Sequence, residues 1–274
     1  MKFAIINDTH LGPGESGFEK GVRRKLVNKA EPLLKSVIQT LNKIEQPEFV
    51  INLGDSIEDI NDRQTDIGSF NRVLAIFSQL SMPVYHLIGN HDVRTLKEQE
   101  IAQMLGYQQM YYSFDHGQFH FIVLSFAITG DHTRVVKDIT AIVPLEQTNW
   151  LKTDLNQTVK PTVVFIHYGL AEDDMKGNFW FANEPDYALI SNRQEVRQIL
   201  EKSGKVKAVF SAHQHWNRMH VHNKIPYFTV TSLIENFNND GVPTKAYTIV
   251  NLDENKVSVS VKGNDPAEFE YKFI

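Results

Sequence analysis

The sequence contains no cysteine. Disulfide bonds and zinc–thiolate sites are therefore excluded, and any bound metal has to be held by nitrogen and oxygen ligands. The sequence also lacks an excess of basic residues, because 33 acidic residues outnumber 28 basic ones and give a formal net charge of -5. Proteins dedicated to nucleic-acid binding usually carry a basic surface. The charge argues against that class but leaves a small or single-stranded phosphodiester open as a substrate.

Long hydrophobic runs are equally scarce. The chain begins with a four-residue apolar run before Asn7, which is too short for the hydrophobic region of a signal peptide. No later stretch has the length needed to span a bilayer. These absences predict a cytoplasmic protein without a membrane segment. No linker, repeat or low-complexity tract divides the chain, which predicts one domain over residues 1–274.

The first half of the chain alternates short apolar runs with helical patterns, and this alternation predicts an α/β fold. Continuous apolar runs suited to strands buried on both faces occur at Phe3–Ile6, Phe49–Leu53, Val84–Ile88 and Val163–Ile166. Helices are predicted over Glu31–Ile44, Ser69–Leu80, Arg94–Leu105, Leu145–Leu155 and Glu195–Lys202. Pro32 lies near the start of the first helix, and Asn192 with Glu195 predicts a capping box before the last.

Strands dominate the chain after residue 205. They are predicted at Val206–Phe210, Arg218–His222, Ile225–Thr231, Ala246–Leu252, Lys256–Val261 and Glu268–Phe273. A half rich in β–α units followed by a strand-rich half predicts two sheets that pack face to face, with helices outside.

Five of the predicted strands are each followed at once by side chains that can bind a metal. These side chains are Asp8 and His10, Asp55, Asn90 with His91 and Asp92, His167, and finally His213 and His215. Ligands of open α/β sheets bind just beyond the carboxyl ends of the strands, so the side chains could converge on one crevice. A single Asp or His after a strand is usually a turn, cap or surface residue, whereas the full set in this order favours a metal site.

These motifs resemble the five signature blocks of the calcineurin-like metallophosphoesterase superfamily. The blocks are Asp8-x-His10, Gly54-Asp55, Gly89-Asn90-His91-Asp92, His167 and His213-x-His215. The resemblance covers nearly the whole chain. It implies a four-layer α/β/β/α sandwich with two mixed sheets and a dinuclear metal site at the C-terminal ends of the strands.

The resemblance also implies a role for each residue. One metal would be held by Asp8, His10, Asp55 and His215, and the other by Asp55, Asn90, His167 and His213, so that Asp55 bridges the two. His91 would be the catalytic histidine, and Asp92 would orient it. The implied cofactors are two divalent or mixed-valence transition-metal ions, Mn, Fe or Zn, which imidazole and carboxylate ligands suit.

Such a site would hydrolyse phosphate esters. Two ions about 3.5–4 Å apart can clamp an in-line displacement and generate a bridging hydroxide at neutral pH. The layout of residues 192–251 is similar to that of manganese-dependent ADP-ribose/CDP-alcohol diphosphatases and of cyclic-nucleotide phosphodiesterases of the superfamily. We therefore expect a small phosphodiester or nucleotide pyrophosphate as substrate, attacked by the bridging hydroxide. A phosphomonoesterase and a non-catalytic scaffold of the same fold are the alternatives.

Three residues depart from the family's usual pattern. Ala212 replaces the glycine that commonly precedes the last His-x-His pair, and Tyr168 follows His167 where many members have proline. Tyr168 would either line the substrate pocket or pack in the core, and packing is favoured. Ile60 stands where the protein phosphatases of the superfamily carry an arginine, which argues against that branch.

Two loops have open interpretations. The first, Leu11–Gly21, is either an ordinary solvated loop or a mobile loop that brings Lys20, Arg23 or Arg24 near a second phosphate. The second, Glu172–Leu189, carries four aromatic residues, Phe179, Trp180, Phe181 and Tyr187. Their rings would either stack on a base or fasten the loop to the body of the domain. The sequence does not indicate an oligomeric state.

Overall fold

The computed structural model describes residues 1–14, 18–19, 21–129, 140–182 and 184–273. Along the chain, the strands are β1 (Lys2–Ile6), β2 (Phe18–Glu19), β3 (Val22–Arg23), β4 (Val50–Asn52), β5 (Val84–His86), β6 (Tyr112–His116), β7 (Phe119–Val123), β8 (Ala127–Thr129), β9 (Thr140–Ile142), β10 (Thr162–Phe165), β11 (Val206–Ser211), β12 (Arg218–His222), β13 (Ile225–Thr229), β14 (Tyr247–Leu252), β15 (Lys256–Lys262) and β16 (Ala267–Lys272). The α-helices are α1 (Val27–Thr40), α2 (Arg63–Phe77), α3 (Glu98–Leu105), α4 (Leu145–Gln157) and α5 (Arg193–Ser203).

Two six-stranded mixed sheets form the centre of the fold. The first has the order β16-β15-β14-β1-β4-β5, and β1, β4 and β5 run parallel to one another. The second has the order β12-β13-β11-β10-β7-β6, in which β7, β10, β11 and β13 are parallel. Parallel strands end at the same edge of a sheet, so the segments that follow them lie close together.

The sheets pack against each other through phenylalanine rings. Phe3 and Phe49 of the first sheet stack at 5.1 Å between ring centroids. Phe3 also meets Phe121, Phe165 and Phe210 of the second sheet edge to face at 5.8 to 6.0 Å. Along β1, Phe3 and Ile5 face the other sheet while Ala4 and Ile6 face the helix side. Burial on both faces is the reason that these strands lack alternation of polar and apolar residues.

The helices lie outside the sheets and complete the four layers. Helices α1 and α2 contact each other, α4 contacts α5, and α5 contacts β11. The predicted α/β/β/α sandwich is confirmed. None of the helices in the described part of the chain combines the length and apolarity needed to cross a membrane.

Several predicted helix limits were wrong. Helix α1 begins at Val27 rather than Glu31, because Val27 and Ala30 extend its buried stripe toward Leu34. Helix α2 begins at Arg63 rather than Ser69, after an N-cap in which Asp62 accepts the Thr65 N–H at 2.9 Å. Helix α3 begins at Glu98 rather than Arg94, since the preceding residues form turns of the candidate site.

The predicted capping box of α5 is also absent. The Asn192 side chain does not cap the helix. Its Oδ1 accepts the Val143 N–H at 3.0 Å and its Nδ2 donates to the Val143 carbonyl at 2.9 Å. The amide side chain therefore fastens α5 to the segment before α4, a tertiary contact that the local pattern does not reveal.

Candidate metal centre

The predicted ligands lie on turns that follow the central strands, and their backbone is unusual. Asp8, His10 and Asp55 have φ between 45° and 49°, and His213 and His215 have φ of 65° and 55°. Non-glycine residues rarely adopt this left-handed region, and each instance costs on the order of 1–3 kcal/mol. Such strain persists where the surrounding structure enforces it. Here it turns five polar side chains inward, where all five are buried.

Close backbone packing places Asp55 between the first sheet's turns. Asp55 Oδ1 accepts the His91 N–H at 2.8 Å. Gly89 lies against the same carboxylate, and a Cβ at Gly89 would overlap it. Gly54 has φ +96°, and a Cβ there would be 2.7 Å from Gly89 N and 2.8 Å from His167 Nδ1. The two glycines of the sequence blocks are therefore required by the approach of these turns.

The first cluster of potential ligands consists of Asp8, His10, Asp55 and His215, all buried, with ligand atoms within 4.8 Å of one another. His10 Nε2 lies 3.2 Å from His215 Nε2 and 3.8 Å from Asp55 Oδ2. His215 Nε2 lies 3.4 Å from Asp8 Oδ1. Two imidazole nitrogens and two carboxylate oxygens thus converge on one point.

The second cluster shares Asp55 and adds His167 and His213. His167 Nδ1 donates to the Leu53 carbonyl at 2.9 Å, which leaves its Nε2 facing Asp55 Oδ2 at 3.3 Å. His213 Nε2 lies 3.1 Å from the Tyr187 carbonyl and donates to it, so that Nδ1 is available to a ligand. Both clusters contain Asp55, the residue predicted to bridge two ions.

The donor set fits two divalent transition-metal ions. Asp8 Oδ1, Asn90 Oδ1 and His167 Nε2 are buried and have no hydrogen-bond partner among the described residues. Buried polar atoms are normally satisfied, and these three atoms have lone pairs free for a metal ion. Imidazole, carboxylate and amide donors without thiolate suit Mn, Fe or Zn.

The electrostatics of the site favour positive charge at its centre. Burial lowers the pKa of His215 and His167, but the nearby carboxylates of Asp8 and Asp55 outweigh burial and raise these pKa values to about 10 and about 9. His213 differs, since burial and the neighbouring His167 lower its pKa to about 3. Burial raises the pKa of Asp8, yet His215 and His167 lower it to about 2. A cation in this position therefore meets ionised carboxylates.

His91 lies beside the clusters. Its Nδ1 is 2.7 Å from Asp59 Oδ1 and its Nε2 is 2.8 Å from Lys25 Nζ. Its ring lies edge-on to His10 with 4.8 Å between centroids. His91 thus sits next to the predicted ligands, with Asp59 at Nδ1 and Lys25 at Nε2, and both His91 and Lys25 line the pocket described below.

The prediction that Asp92 orients His91 was wrong. The Asp92 carboxylate is buried and accepts three backbone N–H groups, from Gly89 at 2.8 Å, Ser56 at 2.9 Å and Ile57 at 3.1 Å. It therefore ties together the turns that carry Asp55 and Asn90. Asp59, four residues after Asp55, contacts the His91 ring instead.

Carboxylates outside the clusters orient other predicted ligands. Glu58 Oε2 is 2.8 Å from His10 Nδ1, and Glu235 Oε2 hydrogen-bonds His215 Nδ1. Both contacts leave Nε2 of the histidine facing the cluster, as carboxylate–histidine pairs do in metal sites. The sequence interpretation missed both glutamates. Glu58 could have been found from its place just after Asp55, whereas Glu235 is brought in only by the fold.

A pocket of about 390 Å³ opens beside the clusters. Its polar side chains include Lys25, Asn90, His91 and Arg94, and its aromatic walls are Tyr168, Trp180, Phe181 and Tyr187. Tyr168 is buried, as the packing interpretation requires, and its ring lies 4.0 Å from that of His213 while it also lines the pocket. Tyr168 therefore both packs against its neighbours and lines the pocket.

The residues of the two loops and of the segment after the first loop differ in whether they line the pocket. Within Glu172–Leu189, Trp180, Phe181 and Tyr187 line the pocket, whereas Phe179 lies 4.3 Å below the Arg24 guanidinium. Arg24 donates to the Asn236 carbonyl at 2.7 Å and is buried, so it does not line the pocket. Lys25 lines it instead. Lys20 and the Arg23 side chain lie outside the described residues.

Comparison with known proteins shows the family of the chain. Residues 1–217 match the family of calcineurin-like phosphoesterases. A manganese-dependent ADP-ribose/CDP-alcohol diphosphatase of Oryza sativa subsp. japonica is 24% identical in an alignment of length 223 that covers 67% of this chain and 67% of that protein. Its Arabidopsis thaliana counterpart is 29% identical over 73 residues, 27% of this chain, and the match spans only 24% of that protein.

Two further proteins are similar over most of their length. A 3',5'-cyclic-nucleotide phosphodiesterase of a Nostoc species is 22% identical over 216 residues, 78% of this chain and 71% of that protein. The crystal structure of a dimetal phosphatase from Danio rerio superposes with a TM-score of 0.79 over 100% of this chain and 99% of that chain, at 16% identity. That likeness shows the fold. The chain belongs to the calcineurin-like phosphoesterase family, whose enzymes are hydrolases of phosphate ester bonds.

Proposed function

We propose that the protein is a dinuclear metal-dependent hydrolase of small phosphodiesters or nucleotide pyrophosphates. Asp8, His10, Asp55 and His215 would hold one ion, and Asp55, Asn90, His167 and His213 the other. When bound, such a pair supplies Lewis acidity and an activated water. The curated relatives support this proposal, since their names describe a diphosphatase and a cyclic-nucleotide phosphodiesterase.

The observation that carries the proposal is the aromatic pocket beside His91. Its volume of about 390 Å³ falls within the range of small-molecule sites. Trp180, Phe181 and Tyr187 give it flat apolar walls on which a nucleobase or another planar group can stack. A substrate with a substantial group on the leaving side uses these walls, and a diester or pyrophosphate has such a group.

His91 has the contacts that an acid or an oxyanion donor needs. Asp59 accepts from Nδ1 and thereby fixes the ring, so Nε2 faces the pocket. There it would stabilise a phosphoryl oxygen or deliver a proton to the departing oxygen. Its low exposure, 15% of the side chain, keeps the ring in place.

A phosphomonoesterase is the second candidate. A monoester dianion needs more positive charge than a diester, and the sequence blocks contain no arginine for it. Lys25 and Arg94 both line the pocket and supply such charge. This observation keeps the monoesterase in the test.

The test is a panel of four substrates assayed with Mn²⁺-loaded protein: an aryl phosphate monoester, an aryl diester, ADP-ribose and cyclic AMP. We expect turnover of a diester or of ADP-ribose that exceeds turnover of the monoester. Asp55→Ala is the control, since it removes the carboxylate that both clusters share. Preference for the monoester would replace the proposal with the second candidate. Two bound ions per chain without hydrolysis of any substrate would indicate a scaffold.

A further inference from the structure

Lys25 and Arg94 are cations at the pocket that belong to neither cluster of potential ligands. Lys25 Nζ lies 2.8 Å from His91 Nε2, 3.3 Å from Glu58 Oε2 and 5.8 Å from the Trp180 ring centroid. Arg94 Nε lies 3.7 Å from Asp59 Oδ2 and its side chain is 38% exposed. Both cations thus line the pocket together with His91 and the aromatic rings.

The backbone conformation at Lys25 is strained. Its φ is +43°, in the left-handed region that a lysine seldom adopts. The neighbouring Arg24 is anchored to the Asn236 carbonyl and to Glu235 Oε1, 3.8 Å from Arg24 Nε. The anchor fixes the chain just before α1 and turns Lys25 toward the pocket. Strain held in this way is a feature of ligand-binding sites.

Neighbouring carboxylates neutralise the two cations only in part, because each carboxylate is shared with a histidine. Glu58 is shared between Lys25 and His10 Nδ1, the latter at 2.8 Å, and Asp59 is shared between Arg94 and His91 Nδ1 at 2.7 Å. Lys25 Nζ donates to His91 Nε2 at 2.8 Å, and the remaining hydrogens of its ammonium group can be donated to an anionic oxygen of a ligand. The centre formed by the two clusters can serve one phosphoryl group, so a second anion needs these separate donors.

We propose that Lys25 and Arg94 bind the leaving phosphate of a pyrophosphate substrate and so determine selectivity for pyrophosphates over simple phosphodiesters. This inference rests on the proposed function and names its substrate class. Hydrolysis adds the oxygen of water to one phosphorus and breaks that atom's bond to the bridging oxygen. The bridging oxygen departs on the phosphate that Lys25 and Arg94 hold, and two phosphomonoesters result. The two protons of the water either stay on these phosphomonoesters, one on each, or pass to solvent.

The experiment compares wild type with Lys25→Met, Arg94→Met and the charge-keeping Lys25→Arg, all loaded with Mn²⁺. Lys35→Met is the matched control, because Lys35 is 47% exposed and pairs with Glu31 on α1. The measured quantity is the ratio of kcat/KM for ADP-ribose to kcat/KM for bis(p-nitrophenyl) phosphate. Each Met variant should lower this ratio roughly 10- to 100-fold, as expected for one lost charge-assisted hydrogen bond. Lys25→Arg should restore most of it, and Lys35→Met should leave it at the wild-type value.

Equilibrium binding supplies a second readout. α,β-Methylene-ADP, which carries two phosphates and resists hydrolysis, should bind the Met variants at least about 10-fold more weakly than wild type, while the affinity for AMP should fall less than about 3-fold.

Equal losses of affinity for both ligands, equal losses of kcat/KM for both substrates, or an unchanged ratio would overturn the inference. Wild type that hydrolyses the aryl diester but not ADP-ribose would overturn it too and leave the proposed function standing. Failure of every substrate in the presence of two ions would instead overturn the proposed function. Arg94 is exposed, so its variant tests the inference even where Lys25→Met does not fold.

Discussion

At the scale of single residues, the carboxylates around His91 have different tasks. Asp59 contacts the imidazole, and Asp92 accepts three backbone N–H groups. Asp59→Asn should therefore keep both ions and the fold but lower kcat about 10- to 100-fold, because the amide no longer stabilises a protonated ring. Asp92→Asn should instead lower the melting temperature and the metal content. The NH2 group of the asparagine side chain would face a backbone N–H group that now donates to a carboxylate oxygen, and two donors cannot form a hydrogen bond.

Metal analysis, thermal unfolding and kcat separate the two variants. Glu254→Gln, in the exposed turn between β14 and β15, is a control for the loss of one carboxylate charge. If Asp92→Asn kept its metal and melting temperature while Asp59→Asn retained full kcat, Asp92 would resume the role predicted from the sequence.

His91 and Asp55 should also respond differently to alanine. His91→Ala should bind two ions and lose roughly 10²–10⁴ in kcat, the usual contribution of a positioned acid or base. Asp55→Ala should lose activity together with bound metal, because both clusters use its carboxylate. Metal content per chain and single-turnover rates are the measurements. If Asp55→Ala retained both ions, Asp55 would not bridge them. If His91→Ala hydrolysed substrate at the wild-type rate, His91 would have no catalytic role.

The residues that sequence patterns could locate are those that follow strands. His167 comes directly after an apolar run, and Asp8 and Asp55 each come one residue beyond such a run, so their convergence follows from parallel strands. Lys25 and Glu235 follow no such rule. They reach the site through Arg24's contacts and through a hydrogen bond to His215, respectively, and both depend on tertiary packing.

At the scale of elements, the segment after β10 connects the pocket to a predicted ligand. Trp180 Nε1 donates to Glu235 Oε2 at 2.9 Å, and the same oxygen hydrogen-bonds His215 Nδ1. Trp180 therefore contributes a ring to the pocket and an N–H group to the support of His215. A bound ring that moves Trp180 would act on His215 through Glu235.

Replacement of Trp180 by phenylalanine and by alanine separates these contributions. Trp180→Phe keeps a ring but leaves Glu235 one donor short, so Mn²⁺ affinity should fall by up to about 10-fold while KM for ADP-ribose changes little. Trp180→Ala should weaken Mn²⁺ binding similarly and raise KM about 10-fold or more through lost stacking. Mn²⁺ titration by calorimetry and steady-state kinetics measure the two effects. Trp150→Phe on α4, whose ring meets Tyr111 away from the pocket, is the control. Unchanged Mn²⁺ affinity in Trp180→Phe would refute the coupling.

The helix boundaries show where periodicity is a weak guide. The apolar stripe of α1 begins at Val27, but the prediction used Pro32 to locate the helix start and therefore placed it four residues too late, at Glu31. Residues 94–97 have helical composition, yet they belong to the turns after Asp92 that shape the site. Local preference loses in such places to the contacts that a functional turn makes.

At the scale of the whole molecule, the sandwich was the most predictable feature. Apolar runs buried on both faces require cover on both faces, and two sheets with outer helices provide it. The strand-rich second half also completes the first sheet, because β14, β15 and β16 extend it beside β1. That return crossing of the chain has no local signal. It nevertheless brings the segment before β14, with Glu235, to the same edge as β1.

The layers are also joined by a buried histidine remote from the candidate site. His120 on β7 lies 2.7 Å from Asp115 on β6 through Nδ1 and 2.8 Å from Asp154 on α4 through Nε2. Burial lowers the pKa of His120, but its hydrogen bonds to Asp154 and Asp115 outweigh burial and raise that pKa. His86 has the opposite tendency, because burial lowers its pKa to about 4. The stability of the wild type alone therefore mixes two trends, and a variant is needed to separate them.

His120→Gln isolates the first trend. A raised folded-state pKa stabilises the protein fully below the unfolded-state pKa of about 6.5, and this stabilisation is lost as the pH rises through the higher folded-state value. The difference in unfolding free energy between wild type and His120→Gln should therefore be larger at pH 6 than at pH 9, by about 0.5–1 kcal/mol for partly exposed partners. Urea unfolding at these pH values measures it, and His116→Gln on β6, which pairs with the exposed Glu48, is the control. A difference that stays constant or grows with pH would show that His120 is neutral between its two aspartates, and the link between sheet and helix would then be a hydrogen bond without net charge.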